Sequence, residues 1–141
     1  MPAFWDTSAL VRVCIRGQNS ARARQLLRAD TPVAWWLTPV EVRSALSRLQ
    51  REGAISAAAS RVAWERSSAL LAGAAVVQPT DALKDTALAV LDRFPLKTGD
   101  ALQLAAALVW CRRKPRGRWF VCNDRQLAAS AEAAGFTVES V

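Results

Sequence analysis

The sequence predicts a single α/β domain built around a parallel sheet. Short apolar segments without polar alternation, typical of strands covered on both faces, alternate along the chain with segments of helical periodicity. A length of 141 residues is that of one ordinary domain, and an apolar fraction of 52% is enough to fill one core. No internal repeat or low-complexity linker divides the chain, so we expect one domain over residues 1–141.

The first half of the chain predicts two strands and four helices. The strands are the apolar runs "PAFWD" and "VAWWL", whereas the helical segments repeat apolar residues at a spacing of three and four. Pro39 at the first helical position and Gly53 beyond the far end mark one helix, and Ser56 caps the next. In chain order, these elements are a strand at 2–6, helices at 7–15 and 20–29, a strand at 33–37, and helices at 38–53 and 56–73.

The second half predicts three strands and three helices. Thr80 caps the first of these helices, and Gly135 ends the last. The middle helix is apolar nearly all round, so we expect it to be buried. In chain order, the elements are a strand at 74–79, helices at 80–94 and 98–113, a strand at 118–122, a helix at 125–135 and a strand at 136–141. This alternation predicts a doubly wound sheet with helices on both faces.

The chain contains no His and no Tyr. Catalytic Ser-His and Cys-His pairs, histidine-ligated zinc and phosphotyrosine chemistry are therefore excluded. If the protein is a hydrolase, its carboxylates must perform the chemistry, and carboxylate oxygens suit hard cations such as Mg²⁺ or Mn²⁺. The alternative is a protein that is not an enzyme.

The charge of the chain indicates a polyanionic partner such as nucleic acid. The net charge is +7, from 19 Lys and Arg against 12 Asp and Glu. An arginine-rich composition without a binding role is the alternative. Five bases crowd into "RRKPRGR", which is either a solvated loop or a surface that contacts RNA phosphates. The RNA-binding candidates in this segment are Arg112, Arg113, Lys114, Arg116 and Arg118.

Nothing in the sequence indicates a membrane protein or a secreted one. The longest apolar runs fall short of the ~20 residues that span a bilayer, and no basic segment precedes an apolar one at the start. The three cysteines, Cys14, Cys111 and Cys122, form no C-x-x-C pair. We expect a cytoplasmic protein with reduced, buried thiols.

Four acids stand just after predicted strands or in the first turn of a helix: Asp6, Glu41, Asp100 and Asp124. Each has a structural interpretation. Asp6 and Asp124 suit helix N-caps, and Asp100 suits the dipole of its helix. Glu41 fits a capping box in which it bonds back to the amide of Thr38. The same positions suit a binding site, because parallel sheets bind ligands beyond the carboxyl ends of their strands.

Electrostatics favour a metal site over capping alone. Four carboxylates brought together raise one another's pKa values and destabilise the domain unless a cation lies among them. Capping needs no charge, as Ser56 and Thr80 illustrate. The remaining eight acids stand against 19 bases, so the rest of the protein carries +11 around a pocket of −4. This distribution suits a metal inside the pocket and phosphates around it.

Four segments, taken together, carry a family resemblance. In order along the chain they are "FWDTSALV", "TPVEVRSAL", "TGDALQLAAAL" and "VCNDRQLAASAEAAGF". They resemble the acidic signatures of PIN-domain nucleases, and the compact size resembles the VapC toxins of prokaryotic toxin–antitoxin pairs. By position, Asp6, Glu41, Asp100 and Asp124 match the acidic quartet of the family, and Ser8 matches a hydroxyl often near it.

The resemblance implies a five-stranded parallel sheet in the order 3-2-1-4-5, with the reversal of strand order between the first and fourth strands. It also implies a Mg²⁺-dependent endoribonuclease that leaves 5'-phosphate and 3'-hydroxyl ends, in which Mn²⁺ can substitute. A homodimer and inhibition by a cognate VapB-like antitoxin are further implications. We expect the quartet to hold one or two ions and a water activated by the cation to attack the phosphodiester in line.

Two positions depart from the family pattern. Cys122 stands where Thr or Ser is common, and Gln103 stands where His is common. Neither change removes an acidic residue. Catalytic activity is therefore the favoured function, and a catalytically silent PIN-like module that binds RNA or protein is the alternative.

Tryptophans on the predicted strands have two interpretations. Trp35 and Trp36 either stack on bases or lie in the core, and a strand covered on both faces favours the core. Trp5 and Trp119 are expected to be packing residues for the same reason.

Overall fold

The computed structural model describes residues 2–15, 21–29 and 31–141. Its five strands are β1 (Ala3–Trp5), β2 (Val33–Trp35), β3 (Ala75–Val77), β4 (Trp119–Cys122) and β5 (Thr137–Ser140). Its seven helices are α1 (Thr7–Cys14), α2 (Ala21–Ala29), α3 (Thr38–Arg51), α4 (Ala57–Ala72), α5 (Asp81–Arg93), α6 (Thr98–Trp110) and α7 (Arg125–Ala134). Ser20, the first residue of the predicted helix at 20–29, lies outside the described residues.

The strands form one sheet in the order β3-β2-β1-β4-β5, and every neighbouring pair is parallel. Phe4 of β1 stands opposite Val33 on one side and Phe120 on the other. The predicted strand order is therefore confirmed. Because the order reverses between β1 and β4, a crevice opens beyond the carboxyl ends of these two strands.

Helices cover both faces of the sheet, as predicted, and make two hydrophobic clusters. One face packs α5, α6 and α7 around the stacked rings of Phe4 and Phe120, whose centroids are 5.4 Å apart. The other face packs α1 to α4 around Trp5 and Val121. Alternate residues of β1 and β4 thus point into opposite clusters, which is why these strands are apolar at every position.

Burial decreases toward the edge of the sheet. Trp5 and Trp35 are buried, as predicted, and Trp119 is half-buried against the core. The prediction of a core position is wrong for Trp36, which is 50% exposed. Trp36 lies just beyond the end of β2, beside the edge strand β3, where Val76 is also exposed. An edge strand has a neighbour on one side alone, so its side chains are less completely covered.

Capping residues set most helix boundaries. Ser56 accepts a hydrogen bond from the Ala59 amide, and Thr80 accepts one from the Leu83 amide, as their positions predict. Gly135 follows α7 with φ +115°, and a Cβ there would lie 2.9 Å from Cγ of Pro115. Glycine is therefore needed at this position both for backbone conformation and for space.

The predicted burial of α6 and of the three cysteines is confirmed. The stretch from Leu104 to Ala107 is fully covered, and all three thiols are free and buried. In the described part of the chain, no helix is long and apolar enough to cross a membrane.

Candidate active site

A cavity of about 720 Å³ lies beyond the carboxyl ends of β1 and β4, at the reversal of strand order. All four predicted acids line it, together with Ser8, Gln103 and Asn123. Turns after β1 and β4 supply two of the acids, and the first turns of α3 and α6 supply the other two. Residues distant in sequence thus line the same cavity, because the carboxyl ends of parallel strands lie on the same side of the sheet.

Asp6 is the most buried of the four acids, at 2% exposure. It is the N-cap of α1, where its Oδ1 accepts the Ala9 amide at 3.1 Å. The capping interpretation is therefore correct for Asp6. The Ser8 hydroxyl donates to the same carboxylate, at 2.7 Å from Oδ1 and 2.9 Å from Oδ2.

Burial raises the pKa of Asp6 from 3.8 to about 7, and repulsion from Asp100 adds to the rise. The bonds from Ser8 and Ala9 oppose it, because they stabilise the charged form. The hydrogen bonds thus do not offset the cost of burying the charged form of Asp6. Such a group gains strongly from a nearby cation.

Ser8 ties the two strand ends together. Its Oγ accepts the Asn123 amide at 2.8 Å while its hydroxyl points at Asp6. The turn after β4 is therefore held against the turn after β1 by a single side chain. Cys122, at the family position for a hydroxyl, is fully buried in the core, and burial raises its pKa to about 12, so its thiol remains protonated.

Glu41 does not form the predicted capping box, and that structural interpretation is wrong. The N-cap of α3 is Leu37, one residue before the predicted cap Thr38, and α3 has no side-chain cap hydrogen bond. Thr38 is buried, and its hydroxyl has no partner among the described residues. The Glu41 carboxylate instead turns toward the cavity, where Oε1 accepts Gln103 Nε2 at 3.1 Å.

Burial also raises the pKa of Glu41 to about 7, with a further contribution from Asp100. The Gln103 bond lowers it in part. The other oxygen of this carboxylate lies beside the first turn of α6, where a Cβ on Gly99 would stand 3.6 Å from Oε2. The carboxylate thus lies against the amino-terminal end of a helix, which favours negative charge.

Asp100 and Asp124 complete the acidic wall. Burial, followed by repulsion from Asp124, raises the pKa of Asp100, and Lys97 lowers it. Asp124 is the N-cap of α7, since its Oδ1 accepts the Leu127 amide at 2.8 Å. Its capping interpretation is also correct, so capping and a place in the cavity coexist at this residue.

The donor set of the cavity fits a hard cation held in an open site. None of the four carboxylates has an ion pair with a residue that the structure describes, so their charge is not balanced within that part of the protein. Across the same residues, no group of three or more Asp, Glu, His or Cys side chains is arranged closely enough to hold a metal by itself. Mg²⁺ suits this arrangement, because it is usually bound by one or two carboxylates and keeps several waters.

Two arginines of the cavity were not predicted from the sequence. Arg12 on α1 and Arg48 on α3 line it beside the aliphatic chains of Val11, Ile15 and Leu49. Neither guanidinium is hydrogen-bonded or ion-paired to a described residue. Arg12 directly follows the first acidic segment, and Arg48 lies two turns after Glu41 on the same face of α3, so helical spacing is the signal that could have identified them.

The basic segment at 112–118 lies elsewhere. It connects the end of α6 to the start of β4, at the amino ends of the strands, whereas the cavity lies beyond their carboxyl ends. None of its five bases lines the cavity. Helix α6 separates the two places by about 20 Å, at 1.5 Å per residue. Two of the bases make contacts within the protein: Arg113 donates to Thr86 Oγ1 at 3.1 Å, and Arg118 lies over the ring of Trp110.

The fold is a parallel α/β domain in which a cluster of carboxylates lines a cavity beyond the carboxyl ends of the central strands. Comparison with protein families is in agreement: the PIN domain family matches residues 3–110. The chain therefore belongs to the PIN domain family, whose members are typically nucleases that use divalent metals.

Two solved structures are similar to this one. A crystal structure of PAE2754 from Pyrobaculum aerophilum has 21% identity and a TM-score of 0.68, covering 98% of this chain and 92% of its own. A toxin–antitoxin complex from Klebsiella pneumoniae has 17% identity and a TM-score of 0.63, covering 99% of each chain. At these identities the likeness concerns the fold. The curated proteins include no match to the chain.

Proposed function

We propose that this protein is a Mg²⁺-dependent endoribonuclease, with Mn²⁺ able to substitute, and the toxin of a VapBC-type toxin–antitoxin pair. One observation carries the proposal: four carboxylates without ion-pair partners among the described residues line a single cavity, at the place where this fold binds ligands. A chain without histidine has few other means of hydrolysing a phosphodiester.

The metal ligands proposed are Asp6, Glu41, Asp100 and Asp124. A divalent cation bound there would acidify a water molecule and neutralise charge on the scissile phosphate. Asp6 is buried and Glu41 is half-buried, and a lower local dielectric strengthens their attraction for a cation. Ser8 keeps the Asp6 carboxylate in one orientation through its short hydrogen bond.

RNA phosphates are the proposed partners of the unpaired arginines. Arg12 and Arg48 line the same cavity as the acids, where the backbone flanking the scissile bond would pass. The loop at 112–118 would contact a part of the RNA about 20 Å from the cavity, at the amino ends of the strands. The exposed indole of Trp36 is available for stacking on a base.

The biological setting is proposed from resemblance. The similar Klebsiella pneumoniae structure is a toxin–antitoxin complex, which supports a cognate VapB-like antitoxin for this chain. We further propose a homodimer in the cytoplasm and a single domain over residues 1–141. Pairing of β4 and β5 with the sheet beyond residue 110 supports the domain extent.

The competing proposal is a PIN-like module that binds RNA or protein without cleaving it. The absence of a preassembled three-residue metal cluster among the described residues favours it. The four carboxylates in one cavity favour catalysis instead. Burying charged groups together costs free energy, and a module that does not cleave RNA gains nothing from them that offsets this cost.

Cleavage of a mixed RNA substrate by the purified protein tests the proposal. With Mg²⁺ or Mn²⁺ we expect internal cuts that leave 5'-phosphate ends, and we expect none in excess chelator. A DNA strand of the same sequence is the control for substrate class. RNA that stays intact under every metal condition, while still binding the protein, would establish the silent module and contradict the proposed enzyme.

A further inference from the structure

Gln103 occupies an unusual position for a polar side chain. It lies on α6, the buried helix, and is 1% exposed. Its Nε2 donates to Thr7 Oγ1 at 2.9 Å and to Glu41 Oε1 at 3.1 Å. One amide nitrogen thus joins α1, α3 and α6, the helices that begin at or carry three of the proposed ligands.

The amide orientation is fixed by its partners. A carboxylate oxygen is an acceptor alone, so it requires the nitrogen end of the amide on its side. The carbonyl oxygen Oε1 is left buried without a partner among the described residues. An unpartnered buried polar atom costs about 1–3 kcal/mol, which offsets most of what the two hydrogen bonds of the same amide contribute to stability. Stability therefore does not account for the residue.

The position of Glu41 explains what the amide does. Glu41 is in the first turn of α3, where a glutamate ordinarily bonds back to its own helix start, and here that bond is absent. Its side chain is directed across the cavity toward α6 instead. Gln103 provides the one side-chain hydrogen bond to this carboxylate among the described residues, and Thr7 anchors the other hydrogen of the same amide.

We propose that Gln103 is a positioning residue, which holds the Glu41 carboxylate in the cavity in the orientation that binds the divalent cation, through a clamp anchored on Thr7. This inference rests on the proposed function, since it assigns a role toward the same metal. Groups that orient a metal ligand in this way set metal affinity by about 10–100-fold when removed. Gln103 does not touch substrate, because its free oxygen is fully covered.

Calorimetric titration with Mg²⁺, without RNA, tests the clamp. Gln103→Leu should raise the Mg²⁺ dissociation constant by about 10–100-fold while the midpoint of thermal unfolding of the metal-free protein changes little. Gln103→His returns an N–H donor and should recover most of the affinity. Thr7→Val should weaken affinity in the same direction, and the double variant should be no worse than Gln103→Leu, because both changes break one unit.

Thr86→Val is the control for loss of a buried hydroxyl, since Thr86 is 4% exposed and bonds to Ala82 on α5, away from the cavity. It should leave Mg²⁺ affinity unchanged. If wild-type protein binds Mg²⁺ and cleaves RNA while Gln103→Leu binds Mg²⁺ equally well, the clamp is refuted and the enzyme stands. If Gln103→Leu loses affinity and thermal stability together and Thr86→Val does the same, the role is merely structural. If wild-type protein neither binds Mg²⁺ nor cleaves RNA, the proposed function falls and takes the clamp with it.

Discussion

Replacing Asp6 with asparagine should make the metal-free protein more stable at high pH. The folded protein raises the pKa of Asp6 from 3.8 to about 7. Between these values the folded state binds the proton more tightly than the unfolded state, so stability falls as pH rises from about 4 to about 7. At about 1.4 kcal/mol per tenfold change in proton affinity, the full cost above pH 7 is up to about 4 kcal/mol.

The asparagine variant does not titrate and so escapes this cost. Its Oδ1 can still accept the Ala9 amide and cap α1. At pH 5 the wild-type carboxyl is protonated, so neither protein has a charge-assisted bond from Ser8, and the pKa of about 7 already includes that bond at higher pH. The linkage cost to the wild-type protein is roughly 1.6 kcal/mol at pH 5 and about 4 kcal/mol at pH 8. We therefore expect the stability of Asp6→Asn relative to wild type to increase by about 2–3 kcal/mol between pH 5 and pH 8.

Urea unfolding followed by tryptophan fluorescence, in excess chelator at pH 5 and pH 8, measures this difference. Glu41 and Asp100 titrate in both proteins, so comparison of the two largely removes their contribution. A stability difference that is the same at both pH values, or a variant that is less stable at pH 8, would refute the assignment of a strained, uncompensated carboxylate at this position.

Three further predictions concern the same cavity. Mg²⁺ at 100 times its dissociation constant should stabilise the wild-type protein by about 2.7 kcal/mol against urea, and an unshifted transition would contradict a metal site. Ser8→Ala should destabilise the protein by about 1–3 kcal/mol in the same assay, because it removes the donor to Asp6 and the acceptor of the Asn123 amide. Neutralising Arg12 and Arg48 together should flatten the dependence of log RNA affinity on log salt by about 1.4, at ~0.7 per single-strand phosphate contact, and an unchanged slope in a filter-binding titration would remove both from the interface.

The fold was predictable because its signals are local and repeat consistently. Each strand is a short apolar run, and helix boundaries carry their own chemistry, such as Ser56 and Thr80 at N-caps and Gly135 beyond α7. The strand order came from the family resemblance, since no local signal specifies which strands pair. Burial at the sheet edge was not predictable. Trp35 and Trp36 lie in the same apolar run, and the position of Trp36 beside the edge strand β3, which depends on the pairing of strands, leaves it exposed.

The sequence identified the four acids that line the cavity, but not the hydrogen bond that Glu41 makes with Gln103. Asp6 and Asp124 were correctly expected to cap helices, because an N-cap depends on residues within one turn. Glu41 was wrongly placed in a capping box, because the competing donor, Gln103, is 62 residues away in sequence. Arg48 was predictable as a neighbour of the acids, because helical spacing places it on the same face of α3 as Glu41.

If the acidic cavity holds the cation on which RNA cleavage depends, the Asp100→Asn substitution should abolish cleavage. Asp100 caps no helix by its side chain and has no hydrogen bond from a described residue, so the substitution removes one charge and little else. Single-turnover cleavage of RNA should be compared over a range of Mg²⁺ concentrations. At saturating RNA and wild-type stability, we expect the variant to cleave no faster than wild-type protein in chelator. Cleavage by the variant at the wild-type rate and with the wild-type Mg²⁺ dependence would contradict it.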